Sequence, residues 1–97
     1  MPNYLKELKD IIAAAATFAG LNTLRLVKPE DFELTVECAL LDVPVHEAAE
    51  WRQKLSRIAD TLGSQASGRE GSNWKNVAFN LDPSTGNSQR VGRSFSR

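Results

Sequence analysis

The sequence predicts an α+β fold in one small domain, with the element order helix, strand, strand, helix, strand. Two segments, residues 4–19 and 44–62, repeat apolar residues every three to four positions, which is the spacing of an amphipathic helix. Three shorter runs, 22–27, 32–41 and 74–81, alternate apolar and polar residues as half-buried strands do. At 97 residues, the chain is long enough for one core and too short for two.

The first predicted helix, over residues 4–19, is rich in alanine and ends at a glycine. Gly20 followed by Leu21 fits a helix C-terminus, where glycine adopts the left-handed conformation and the next apolar residue packs back. The alanine run 13–16 has little bulk, so a sheet or a second subunit can approach this helix closely. Its apolar face consists of Leu5, Leu8, Ile12, Ala15 and Ala19.

The next two runs predict a β-hairpin whose turn contains Pro29 and Asp31, two residue types that favour turn geometry. In the second run, 32–41, successive side chains point to opposite faces, and Leu41 lies on the outer face. The inward side chains of this strand are Phe32, Leu34, Val36, Cys38 and Leu40.

A second helix and a third strand complete the predicted domain. Asp42 and Pro44 favour the start of a helix, and Gly63 is expected to end it. The stretch 63–73 contains no large apolar residue, so we expect an exposed loop there. The third strand, 74–81, returns parallel to the second through a right-handed crossover, which gives the strand order 2-1-3 with both helices on one face.

The compact domain is predicted to cover residues 1–82, followed by a flexible basic tail, 83–97, that is rich in Ser, Gly and Arg. In this arrangement strand 32–41 is an unpaired edge, and such edges invite pairing with another chain. We therefore predict a homodimer, formed through the edge of strand 32–41 or through helix 4–19.

The twelve basic and twelve acidic residues cancel, so no overall field attracts the chain to nucleic acid or to anionic lipid. The tail differs, because it carries Arg90, Arg93 and Arg97 and no acidic residue. A single cysteine cannot form an intramolecular disulfide, which favours a reducing compartment, and no run is long and apolar enough to span a membrane. We predict a cytoplasmic protein that does not contact a membrane.

Few residues are suited to catalysis or to metal binding. His46 and Glu50 have the four-residue spacing that can share a metal, but a zinc site needs three or four ligands and only carboxylates lie near them. Cys38 lies on the inward face of its strand, where a thiol packs as a small apolar side chain. No Cys-x-x-Cys, His-Glu-x-x-His, dinucleotide or phosphate-loop motif is present. We therefore favour a non-enzymatic protein and assign no catalytic residue, metal or cofactor.

Four residues are candidates for contact with a partner. Trp74 ends the polar loop beside Lys75 and near Arg69, and tryptophan is enriched at the hot spots of protein interfaces. Leu41 lies on the outer side of the unpaired strand edge. For Trp74 the alternative is packing over the edge of the sheet or under the tail.

Two functions fit these features. The first is an accessory or adaptor protein that acts through protein–protein contacts, which the neutral composition and the missing catalytic motifs favour. The alternative is a small nucleic-acid-binding module in which Trp74 stacks on a base and basic side chains contact phosphates. Those basic side chains are Arg69, Lys75, Arg90, Arg93 and Arg97.

Overall fold

The computed structural model describes residues 4–84, and within this range the chain forms a bundle of helices without a strand. The predicted α+β fold is therefore wrong. The helices are α1 (Tyr4–Ala15), α2 (Phe18–Leu24), α3 (Pro29–Leu40), α4 (Val45–Gln65) and α5 (Gly68–Leu81).

The segment predicted as one helix over 4–19 is divided between α1 and α2. Thr17 has an extended backbone and caps α2, and its Oγ1 accepts a hydrogen bond of 2.9 Å from the backbone N–H of Gly20. A Cβ atom on Gly20 would lie 1.9 Å from the carbonyl oxygen of Ala14, so only glycine allows α2 to approach the end of α1. The predicted strand 22–27 lies in the second half of α2 and the turn after it.

The segment predicted as strand 32–41 forms α3 and the residue that caps it. Pro29 occupies the first turn of α3 with two acidic residues, which complement the positive end of the helix dipole. The buried residues Phe32, Val36 and Leu40 are four positions apart, a spacing that keeps side chains on one face in a strand and in a helix alike. The exposure of Leu34 distinguishes the helix from the predicted strand. A strand would turn this side chain toward the core, whereas in α3 it is exposed.

The predicted loop 63–73 and strand 74–81 form the end of α4 and the whole of α5. Gly68, at the first position of α5, has φ +63°, a conformation that side chains with a Cβ rarely adopt. The core-facing residues of α5 have the helical spacing i, i+3, i+4, i+7, and they are Trp74, Val77, Ala78 and Leu81. Since residues 4–84 contain no sheet, neither the strand order 2-1-3 nor the free edge of 32–41 exists in this range.

Helices α4 and α5 pack against each other more extensively than any other pair. Two glycines allow this close approach, because a Cβ on Gly71 would lie 3.0 Å from the carbonyl oxygen of Gly63. Further along, the hydroxyl of Ser56 donates a buried hydrogen bond of 2.6 Å to the carbonyl oxygen of Ala78. These backbone-level contacts fix how the two helices lie relative to each other.

One core joins all five helices, and α2 contributes Leu24 to it. At its centre the rings of Phe32 and Trp74 meet edge to face, with centroids 5.2 Å apart and planes at 77°. The largest side chains with almost no exposed surface are Trp74, Phe32, Leu8, Leu55, Leu62, Leu81 and Val36.

Two leucine-to-alanine substitutions in α3 distinguish the helix from a strand. Leu40 is buried, so Leu40→Ala should lower the free energy of unfolding by about 2–5 kcal/mol. Leu34 is exposed, so Leu34→Ala should change it by no more than about 0.5 kcal/mol. Urea denaturation measures both values. An equally large loss for Leu34→Ala would contradict the helical register of α3.

Candidate partner-binding surface

The outer face of α3 presents an apolar surface formed by Leu34, Cys38 and Leu41, which we call the α3 strip. Leu34 and Leu41 lie about 200° and 180° around the helix from the buried Phe32, on the side away from the core. Their exposed fractions are 62% for Leu34 and 82% for Leu41, and Cys38 is half-buried between them. Leu34 and Leu41 are two helical turns apart on this face, which makes the α3 strip a candidate contact surface.

Acidic side chains flank the α3 strip, and we call Glu30, Asp31 and Glu37 the acidic rim. Helix geometry places Glu30 and Glu37 on one side of the strip and Asp31 on the other. Glu30 and Asp31 are exposed and form no ion pair within residues 4–84. The surface therefore combines an apolar centre with negative charge at Glu30 and Asp31, whereas Arg52 balances the charge of Glu37.

Two polar contacts fix the orientation of α3 and so of the strip. The guanidinium of Arg52 on α4 donates two hydrogen bonds to the carboxylate of Glu37, at 3.1 Å and 2.5 Å. On the same side of the helix, the amide of Asn80 on α5 donates to the carboxylate of Glu33 at 3.3 Å. Together these contacts bind one flank of α3 to the α4–α5 pair.

Other exposed apolar side chains lie on separate elements. Phe18 begins α2, Leu26 lies in the turn after α2, and Phe79 is on α5. Val45, at the start of α4 and four residues after Leu41, is also exposed. Of these, Val45 is the one nearest to the α3 strip along the chain.

The structure corrects the expected position of Trp74. Its side chain has no exposed surface, and its Nε1 has no hydrogen-bond partner among the described residues. Because residues 74–81 are helical, the face that carries Trp74 also carries Val77 and Leu81, and this face packs into the core. In this fold Trp74 does not present its ring to a partner.

The remaining predicted contact residues do not form one surface. The ammonium of Lys75 lies 2.9 Å from a carboxylate oxygen of Asp60 and 2.9 Å from the hydroxyl of Ser64, so it links α5 to α4. Arg69 is exposed in the first turn of α5. Leu41 belongs to the α3 strip, so its proposed role in partner contact stays a prediction.

The tail residues Arg90, Arg93 and Arg97 lie outside the described residues, as does most of the predicted tail 83–97. Within residues 4–84, no three side chains of His, Cys, Asp or Glu come together as metal ligands would. No helix in this range has both the length and the apolar character needed to cross a bilayer.

Two clefts among the described residues are candidate ligand sites. One, of about 310 Å³, lies between α1, α2 and α3 and is mostly apolar, with Glu7 and Asp10 at its border. Its size is at the lower end for small-molecule pockets, which are typically about 300–1,000 Å³. The other, of about 600 Å³, follows the α4–α5 groove, where Ser56 and Lys75 already bond to protein groups. The α3 strip is therefore a clearer candidate for a binding site than either cleft.

Comparisons of the chain with protein-family models, with curated proteins and with solved structures gave no match.

The burial of Trp74 can be tested with two single-tryptophan proteins, because the chain contains only Trp51 and Trp74. In the Trp51→Phe protein, the emission of Trp74 should lie at short wavelength and iodide should quench it weakly, since the ring has no contact with solvent. In the Trp74→Phe protein, half-buried Trp51 should be quenched several-fold more strongly. Equal quenching of the two proteins would contradict the burial of Trp74.

Proposed function

We propose that the protein is a non-enzymatic accessory or adaptor protein that binds another protein chain through the α3 strip. The observation that carries this proposal is the exposure of Leu34 and Leu41 on the face of α3 opposite its buried face. The two side chains lie two helical turns apart on one face of α3, a spacing suited to contact with an apolar partner surface.

The size of the strip indicates what kind of contact it supports. Burying an exposed leucine contributes roughly 1.5–3 kcal/mol, so Leu34 and Leu41 together contribute about 3–6 kcal/mol. Association costs an estimated 4–15 kcal/mol in lost translational and rotational freedom. A stable complex therefore needs further surface, which Val45 and the acidic rim can supply. The strip alone fits a weak, reversible interaction.

The proposal includes a homodimer whose interface is formed by α3. The segment 32–41, which was expected to pair as a strand, can instead pair as α3 with α3 of a second copy about a two-fold axis. Such pairing brings two acidic rims close together, so the like charges oppose it. Added salt screens this repulsion and should strengthen the dimer.

The described residues give less support to nucleic-acid binding. Trp74 is buried and cannot stack on a base, and Lys75 is engaged by Asp60. Arg69 and Lys75 are the two basic residues of the alternative in the described range, and both are exposed, but only Arg69 forms no ion pair within residues 4–84. The proposal that the protein is not an enzyme rests on the missing motifs, and a cytoplasmic location is proposed from its single cysteine.

Self-association should depend on the α3 strip. In about 1 M salt, where the screening length is about 3 Å, the wild type at about 100 µM should sediment mainly as a dimer. Leu34→Gln combined with Leu41→Gln should give a monomer, because it replaces the apolar centre with polar side chains. Leu26→Gln is the matched control, since Leu26 is equally exposed but lies outside α3 and should leave the dimer intact.

A wild-type monomer under these conditions would reject the homodimer. The wider proposal is then tested by cross-linking in extracts of the native source. A specific protein partner should be captured by the wild type and by Leu26→Gln and lost from the Leu34→Gln and Leu41→Gln double variant. Capture that is unaffected by the double variant would reject the α3 strip as the binding surface.

A further inference from the structure

Residues 1–84 and residues 85–97 carry net charges of opposite sign. Residues 1–84 contain nine of the twelve basic residues and all twelve acidic residues, which gives a net charge of −3. Residues 85–97 contain the other three basic residues, Arg90, Arg93 and Arg97, and two larger apolar residues, Val91 and Phe95. This segment therefore has apolar side chains bordered by positive charge, which complements the apolar centre and negative rim of α3.

The C-terminal end of α5 contacts α3. Asn80, near the end of α5, donates to the carboxylate of Glu33 in the N-terminal half of α3. Ser84, the last described residue, follows only four positions later. Thirteen further residues can extend by about 43 Å at about 3.3 Å per residue, whereas α3 with its twelve residues is about 18 Å long. Residues 85–97 can therefore reach any part of the α3 strip.

We propose that residues 85–97 bind to the α3 strip of the same chain in the free protein and must leave before a partner binds there. This inference rests on the proposed function of the strip as a binding surface. In this arrangement the arginines approach Glu30 and Asp31, and Val91 and Phe95 cover Leu34, Cys38 and Leu41. The chain thus carries a competitor for its own binding surface.

A weak intrinsic affinity is sufficient for this contact. Tethering on one chain gives effective concentrations in the millimolar range. A contact with a dissociation constant of about 1 mM is then formed in about half of the molecules. Ion pairs between exposed side chains are individually weak and are screened by salt. Binding of the tail should therefore be partial and reversible, and it should weaken as the salt concentration rises.

A second copy of the chain fits the strip less well at low salt. Its own α3 strip carries the same acidic rim, so two strips repel each other where the screening length is about 30 Å. Tail binding and self-association consequently respond to salt with opposite signs, and this difference allows them to be separated.

Cys38 offers a direct measurement, because it is the only cysteine of the chain and lies within the strip. The rate of its alkylation by N-ethylmaleimide is measured in full-length protein in about 0.01 M salt. Arg90→Ser, Arg93→Ser and Arg97→Ser combined should raise the rate about two-fold, since a millimolar contact protects about half of the molecules. In about 1 M salt, dilute wild type should reach the rate of the variant.

A matched control replaces arginines outside the tail. Arg57→Ser combined with Arg69→Ser removes two exposed positive charges and should leave the rate at the wild-type value. An unchanged rate in this control shows that loss of positive charge elsewhere on the chain does not by itself change the reaction. An increase in rate therefore reports uncovering and not the change in charge.

Equal rates for the wild type and the tail variant in low salt would overturn the proposal. Protection in about 0.01 M salt that increases with protein concentration would overturn it as well, because a second copy would then be the occupant. The function proposed for the strip is judged separately by sedimentation of the Leu34→Gln and Leu41→Gln variant. Loss of self-association in that variant together with equal alkylation rates would support the function and reject the tail as occupant.

Discussion

The contact between Phe32 and Trp74 determines how α3 lies in the molecule. Trp74 is fully enclosed on α5, and the edge of one ring meets the face of the other, so Phe32 is fixed toward the core. Once one position of a helix is fixed, the helical repeat decides where every other side chain points. Leu34 and Leu41 must then face away from the bundle. The exposed strip is therefore a geometric consequence of core packing.

The α4–α5 pair provides the frame on which this contact depends. Gly63 and Gly71 bring the two backbones close together, and the bond from Ser56 to the carbonyl oxygen of Ala78 satisfies a polar side chain inside the interface. Lys75 and Asp60 add an ion pair at the edge of the pair, where solvent screening makes its contribution small. Backbone proximity and apolar packing hold this frame together, and the surface charges contribute little.

Two of the five helices could be predicted from the sequence, and the reasons for the errors are specific. The apolar stripes of α1 and α4 are long and follow the helical period over several turns. In α3 the buried positions 32, 36 and 40 satisfy a period of two and a period of 3.6 equally well. The residues between them favour a helix, because Glu, Leu and Ala outnumber β-branched residues there. The position of Leu41 at the surface follows from a strand or a helix. The exposure of Leu34 and the burial of Trp74 follow only from the helical period.

The short connection between α4 and α5 bears on how the protein folds. Only Ala66 and Ser67 separate the two helices that pack most extensively, so the largest interface forms between neighbours along the chain. Closing so short a loop costs little chain entropy, and proteins dominated by such local contacts fold quickly. The α4–α5 hairpin is thus suited to act as a nucleus on which α3 and then the N-terminal helices condense. Substitutions at Gly63 or Gly71 would accordingly slow folding, whereas substitutions in α1 would mainly accelerate unfolding.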